Sequence, residues 1–253
     1  MLKLMKYEFR KQALSKLVIL SIIAFLEVMF VIGVLLENEN TMATSMGFLG
    51  VLTIGAMFFL AFESIITYSN DLKQKCSYML FLTPNSSYSI VGAKVVSAAI
   101  QVFVSGIAFV AIYAINGTIL VAKFASIAEV KDLILEFFRA VIKIDVDMSA
   151  ILLVVAVILL FWINTITVAF FSITLSTTFL AEKKFKGVVS FILFFFINYV
   201  YGKITDLVLN DRVNLMVHRE TNIYLFLNIL FLLCFTIITY VGTAWMLEKK
   251  VSV

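Results

Sequence analysis

Few side chains in this sequence could carry chemistry, and two of them are misplaced carboxylates. Glu27 and Glu63 both stand inside long apolar runs. A charge at the centre of a bilayer costs ~3 kcal/mol on insertion scales, so each should face a bundle interior or a wet cavity. There it could belong to a substrate path or a gate. The other account is a structural hydrogen bond to a neighbouring helix, through Asn164, Asn198 or Asn228. His218 is the sole histidine and is followed by Arg219 and Glu220, which suits a solvated loop better than a metal or catalytic centre. Cys76 lies in a polar connection and Cys234 within an apolar run, so a disulfide between them is not expected. There is no zinc-type spacing and no Ser-His-Asp set in a shared aqueous site. No G-x-x-x-x-G-K-[ST] run is present to cradle phosphates. The expectation is a chain with no catalytic residue and no metal site, and any ATP chemistry must come from another polypeptide.

The polar connection Asn70–Pro84 is the segment most suited to a partner. It is short, charged and bounded by apolar runs, and it ends at the only proline. Leu72, Cys76 and Met79 fall at i, i+4 and i+7, an apolar stripe on a helix of two to three turns. Lys73 and Lys75 leave that stripe for solvent. Thr83 could cap a following turn with Pro84 at its first position, and Ser86 or Ser87 would start the next span. A solvated hairpin that only joins two spans would leave the stripe exposed, so docking onto a soluble partner is the better reading.

The elements that position these residues follow from composition. The 253 residues are 62% hydrophobic and only 14% charged. A water-soluble domain of this size would need a far more polar surface. Six apolar runs, Leu17–Leu36, Ser45–Tyr68, Ile90–Ala122, Ala150–Leu180, Gly187–Gly202 and Asn222–Leu247, are predicted to span a bilayer. They should be helices, because unpaired backbone is not tolerated in lipid. The first run lacks a following small-residue cleavage site and is read as a retained span. The third and fourth exceed what a bilayer needs and should tilt or project. The fifth is short: Val188–Gly202 reaches about 22 Å against the ~30 Å of hydrocarbon. Either its helix continues through Lys203–Leu209 or the chain turns back at depth, and the second is the expectation. The polar stretch Asn164, Thr165, Thr167, Ser172, Thr174, Ser176, Thr177 and Thr178 in span four suits helix packing or a pore lining.

Basic residues set the orientation. With the N-terminus inside, cytoplasmic segments hold Lys3, Lys6, Arg10, Lys11, Lys16, Lys73, Lys75, Lys94, Lys183, Lys184, Lys186, Lys249 and Lys250. Outer segments hold Lys123, Lys131, Arg139, Lys143, Lys203, Arg212 and Arg219. Both termini are therefore expected in the cytoplasm. The net charge of +4 reflects these anchors, and no basic domain outside the membrane points to nucleic acid. Residues 1–16 read as an interfacial helix in contact with lipid, with Leu2, Met5, Phe9 and Ala13 on one stripe. Residues 121–148 contain a second amphipathic segment, outside, with Val130, Leu133, Ile134, Phe137, Phe138, Val141 and Ile142 on its apolar face. It is a connector that hides that face or a lid over an exit path.

Three stretches together resemble a family. Leu4-x-Lys6-Tyr7-Glu8-Phe9-Arg10, then Asp71-Leu72-x-x-Lys75 with Leu80-Phe81-Leu82-Thr83-Pro84-x-Ser86, then Ile90-Val91-Gly92-Ala93-Lys94, look like ABC-2-type permeases. The basic residue common after Pro-x-Ser is replaced here by Ser87 and Tyr88. The resemblance implies a six-span subunit of an ATP-driven exporter in a bacterial cytoplasmic membrane. Its loop would be a coupling helix on an ABC ATPase subunit, with Asp71, Lys75, Leu80, Thr83 and Pro84 matching the family pattern. The partner would supply ATP and Mg, and this chain no cofactor. A second permease subunit, identical or related, would complete the pathway, since six helices are too few to enclose one.

The reading is an all-α integral membrane protein, a single domain over 1–253. It has six transmembrane helices, an N-terminal interfacial helix and a cytoplasmic coupling helix at 70–84 between spans two and three. ATPase-docking candidates are Asp71, Leu72, Lys75, Cys76, Met79, Leu80, Thr83 and Pro84; pathway or gating candidates are Glu27 and Glu63. The rich phenylalanine content suits an amphipathic or hydrophobic cargo, a peptide first and a drug or lipid-like compound second. An ATP-independent secondary transporter is the other class, but it would show inverted repeats, and no clear repeat is visible. The basic-residue asymmetry predicts the labelling pattern of single cysteines in a background without Cys76 and Cys234. In intact cells an impermeant thiol reagent should reach positions 139 and 212 but not 184. Labelling at 184 without 212 would reverse the topology.

Overall fold

The computed structural model describes residues 1–73, 86–124, 148–179, 185–210 and 221–249, and the described residues are helical with short turns. The helices are α1 (Leu2–Lys11), α2 (Ala13–Leu35), α3 (Glu39–Lys73), α4 (Ser87–Phe124), α5 (Met148–Phe179), α6 (Lys186–Thr205) and α7 (Thr221–Lys249). Six of them, α2 to α7, are long and apolar enough to cross a membrane. That is the number read from the apolar runs. Four of them, α3, α4, α6 and α7, outrun those runs at both ends. α3 begins at Glu39 and ends at Lys73, 35 residues, about 52 Å at 1.5 Å per residue. Once a hydrogen-bonded ladder exists, each further residue adds a bond at little cost, so polar flanks such as Glu39-Asn40-Thr41 continue the helix.

The fifth span corrects the expectation from its hydropathy. The chain does not turn back at Gly202. α6 continues to Thr205 and passes into a π-helical turn over Asp206–Asn210. The apolar helical stretch Lys186–Val208 has 23 residues, about 34 Å, enough for the hydrocarbon. Lys203 and Asp206 interrupt the apolar run without ending the helix, since a chain near an interface can turn such side chains toward water.

The chain divides into two compact units. One comprises Met1–Glu8, Ala61–Ile100 and Met148–Val253; the other comprises Phe9–Leu60 and Gln101–Asp147. In the first, α5 packs against both α6 and α7. Its core gathers Tyr68, Leu72, Val91, Ala98, Ile166, Phe170, Ile173 and Leu247. Tyr68 is completely buried and stacks on Phe170 with ring centroids 4.1 Å apart. The polar stretch of span four lies in this interface. Thr236 donates to Asn164 at 3.3 Å, Thr239 to Thr167 at 3.3 Å, and the Tyr68 and Thr174 hydroxyls share a bond of 2.5 Å. Thr167, Ser172, Thr174 and Ser176 are all buried. Several also return a bond to a carbonyl of their own helix, so burial leaves those hydroxyls satisfied. Helix packing accounts for the buried members of the stretch.

In the second unit α2 and α3 form a tight antiparallel hairpin. The N–H of Asn38 donates to Gly33 O at 3.0 Å and that of Glu37 to Val34 O at 3.4 Å, the paired bonds of a Schellman motif. Glu37 takes the left-handed position with φ of 51°, usually given to glycine. Asn38 then caps α3, its Oδ1 accepting from the Thr41 N–H at 3.3 Å. The turn brings α3 hard against Gly33, where a Cβ would stand 3.0 Å from the Met42 nitrogen. Gly33→Ala should therefore lower stability by about 1–3 kcal/mol through overpacking against backbone. Thermal unfolding of the detergent-solubilised chain measures this, and an unchanged midpoint would show that the hairpin yields freely.

Candidate functional site

Three segments distant in sequence meet around one ammonium group. Lys94 lies two turns into α4, Glu8 in α1 and Asp71 in the last turn of α3. Lys94 Nζ donates to Glu8 Oε1 at 2.6 Å and also to Asp71 Oδ2. The three residues are each 3–4% exposed. Two carboxylates thus share one ammonium. Burial removes the water that would screen the pairs, so the Coulomb attraction is strong and the desolvation cost is high.

Local sequence explains how each side chain arrives there. α1 carries Glu8 as its buried residue, while Leu2 and Tyr7 stay exposed. α3 presents Ser64, Thr67, Tyr68, Asp71 and Leu72 inward, at three- and four-residue spacing. α4 starts cleanly because Ser86 accepts from the Ser89 N–H at 3.3 Å. This is one of the two serines expected to open that span. From there Ile90, Val91, Ala93 and Lys94 are all buried. Behind them the Tyr240 hydroxyl of α7 donates to the Tyr88 carbonyl at 2.8 Å, which ties α7 to the first turn of α4.

The docking candidates divide. Asp71 is buried and bonded to Lys94, and Leu72 is 8% exposed within the core. Neither forms part of an exposed docking face, and Leu72 belongs to the end of a span rather than to a loop. The stripe had placed Leu72 on a docking face, and the family pattern Asp71, because the apolar run ends at Tyr68, whereas the helix runs on to Lys73. Lys75, Cys76, Met79, Leu80, Thr83 and Pro84 lie outside the described residues, as do His218 and most of the 121–148 segment. Residues 1–16 are not one helix: α1 ends at Lys11, and α2 begins at Ala13.

The two intramembrane carboxylates also differ. Glu27 Oε1 accepts from Asn116 Nδ2 at 3.0 Å, a bond between α2 and α4. Its partner is therefore Asn116, not Asn164, Asn198 or Asn228. Asn164 serves Thr236, and Asn198 returns to the carbonyl of Phe194. Glu63 has its Oε2 buried with no hydrogen-bond partner among the described residues. Sequence reasoning quoted Glu8 and Lys94 without seeing that they pair. It passed over Asn116 and Gln101, although an amide deep in an apolar span was a signal for both. Among the described residues no three His, Cys, Asp or Glu side chains group as metal ligands, and Cys234 is a free, exposed thiol.

The arrangement is a mechanical junction that holds α1 and both sides of the 74–85 connection together. Lys94→Met should destabilise the chain by about 3–5 kcal/mol, because it strands two buried carboxylates. Glu8→Gln, which keeps a hydrogen-bond acceptor beside Lys94, should cost much less. Thermal unfolding of both variants in detergent tests the ranking, and equal small losses would show that the cluster is hydrated and weak. Comparison with known family models, curated proteins and solved structures finds no match, so the functional reading rests on this chain's own residues.

Proposed function

We propose that this chain is the membrane-spanning permease subunit of an ATP-driven exporter of the ABC-2 type. The observation that carries the reading is the convergence of Glu8, Asp71 and Lys94. Each belongs to one of the three stretches on which the family resemblance rests. Residues that recur together in a pattern and then share one buried charge cluster have a common structural task.

That task suits energy coupling. The connection over residues 74–85 joins Lys73 and Ser86, and its two helices are clamped by Asp71 on one side and Lys94 on the other. Force applied to the connection is then carried into α3 and α4 together, and into α1 through Glu8. A separate ABC ATPase, which holds ATP and Mg, would dock there through Lys75, Cys76, Met79, Leu80, Thr83 and Pro84. A second permease subunit would complete the pathway in a bacterial cytoplasmic membrane, with both termini inside. The chain itself is not an enzyme. Its exposed surface is dense in Phe, Ile, Leu and Val, consistent with lipid contact and with an amphipathic cargo, a peptide before a drug or lipid-like compound.

Tagged full-length chain extracted from its native membrane should carry an ATPase with a phosphate-binding loop in stoichiometric amount. Met79→Asp should abolish that association, or cargo-stimulated hydrolysis, while leaving the helical content of the chain unchanged. Transport in proteoliposomes that hold this chain alone, without nucleotide, would overturn the proposal in favour of a secondary transporter. Full association and hydrolysis in the Met79→Asp protein would remove the coupling role from the connection.

A further inference from the structure

The unit formed by Phe9–Leu60 and Gln101–Asp147 holds a set of buried polar atoms that its own helices do not satisfy. Gln12 Oε1, both amide atoms of Gln101 and Asn116 Oδ1 are buried with no hydrogen-bond partner among the described residues. Their side chains are deeply enclosed: Gln12 is 3%, Gln101 6% and Asn116 0% exposed. The orphaned Asn116 oxygen does not depend on how the amide is oriented, because the Glu27 carboxylate accepts only from the amide nitrogen. Gln101 is orphaned at both atoms, so its orientation does not matter either.

Register places these atoms at two levels along α4. On α4, Gly106 faces Met57, Tyr113 bonds Thr53 at 2.9 Å, and Asn116 approaches Met46 at 3.9 Å. Rising numbers on α4 meet falling numbers on α3, so α4 runs parallel to α2. Glu27 of α2 touches Asn116 of α4, a separation of 89 residues. Gln12 and Gln101 have the same separation, so they lie at one level, about 22 Å from the Glu27–Asn116 level. Between the two levels Gln101, Ser105, Tyr113 and Asn116 share one arc of α4 at helical spacing. Buried Phe109 divides the arc, and Val110, 70% exposed, faces the opposite way.

A buried amide without a partner keeps its desolvation penalty unless water or a ligand removes it. We infer that this face of α4 lines a hydrated intramembrane route. Its inner level, at Gln12 and Gln101, takes a solute that carries N–H donors, such as an ammonium or an amide-rich chain. The donor preference follows from the inventory. Three of the four orphaned atoms are carbonyl oxygens, and the far level ends at the Glu27 carboxylate. The inference deepens the exporter reading by naming where the cargo path runs and which groups it recognises.

Reagent access in the full chain tests it, in membranes and without Cys76 and Cys234. Methanethiosulfonates react with the thiolate, which forms only in water. Gln101→Cys and the near-isosteric Ser105→Cys should react with sulfonatoethyl methanethiosulfonate about tenfold faster, or more, than Val110→Cys. Rates at Ser105→Cys as slow as at Val110→Cys would show a dry seam and overturn the route. The aminoethyl reagent, whose ammonium carries N–H donors, should outpace at Ser105→Cys both the sulfonate and the trimethylammonioethyl reagent, which has none, each normalised to its rate with a free thiol. The reverse order would overturn the donor-bearing class of solute. Neither measurement uses an ATPase, so a failure here is separate from a failure of ATP coupling.

Discussion

Lys94 is an ammonium that cannot be left alone. Enclosed to 4% exposure, it would carry an uncompensated charge in a region with little water. Glu8 and Asp71 remove that penalty, and in doing so they tie the start of the chain to the end of α3 and the beginning of α4. The attachment is directional as well as strong, since an ammonium has three hydrogens to place and each carboxylate accepts along fixed lone pairs. A cluster of this kind tolerates little sliding. It therefore sets where α1 lies and holds the two helices that flank residues 74–85 at a fixed separation.

The remaining helix contacts use weaker, more numerous polar bonds. Between helices in lipid there is no hydrophobic gain to draw them together, so close packing and interhelical hydrogen bonds must do it. The hydroxyl ladder of α5 does this on the α7 side through Asn164 and Thr167, and Tyr68 adds a bond from α3 to Thr174. Each such bond contributes about 0.6 kcal/mol in membranes, and the stacked ring of Tyr68 on Phe170 adds area. The contrast with the other unit is chemical. There the tight turn at Glu37 and the Glu27–Asn116 bond coexist with amide atoms that no described side chain meets. In the first unit the buried hydroxyls of α5 are paired and Glu63 Oε2 is the exception; in the second, three buried amide side chains keep unused hydrogen-bonding capacity.

How far sequence reaches is clear from particular residues. The six spans were legible because hydrocarbon thickness imposes a length and lipid imposes the helix, and both constraints act on each segment separately. The start of α4 at Ser86 was legible for the same reason, because a cap acts within one turn. Leu72 was misread because periodicity assigns a face without saying whether that face meets solvent or another helix. The fifth span was misread because Lys203 and Asp206 look like an ending by hydropathy, while backbone bonding carries the helix past them.

By itself, then, the sequence determined that this protein is helical, that its helices are long and apolar enough to cross a membrane, and that ionisable groups inside the apolar runs are few, Glu27 and Glu63 among them. Those are properties of single segments, set by the backbone's need for hydrogen bonds where water is absent. Only tertiary structure decided which polar groups pair. Glu8 meets Lys94 across 86 residues and Glu27 meets Asn116 across 89. Such meetings depend on the register and rotation of whole helices against one another. A rotation of one residue, 100° about the axis, would turn each of these side chains away from its partner.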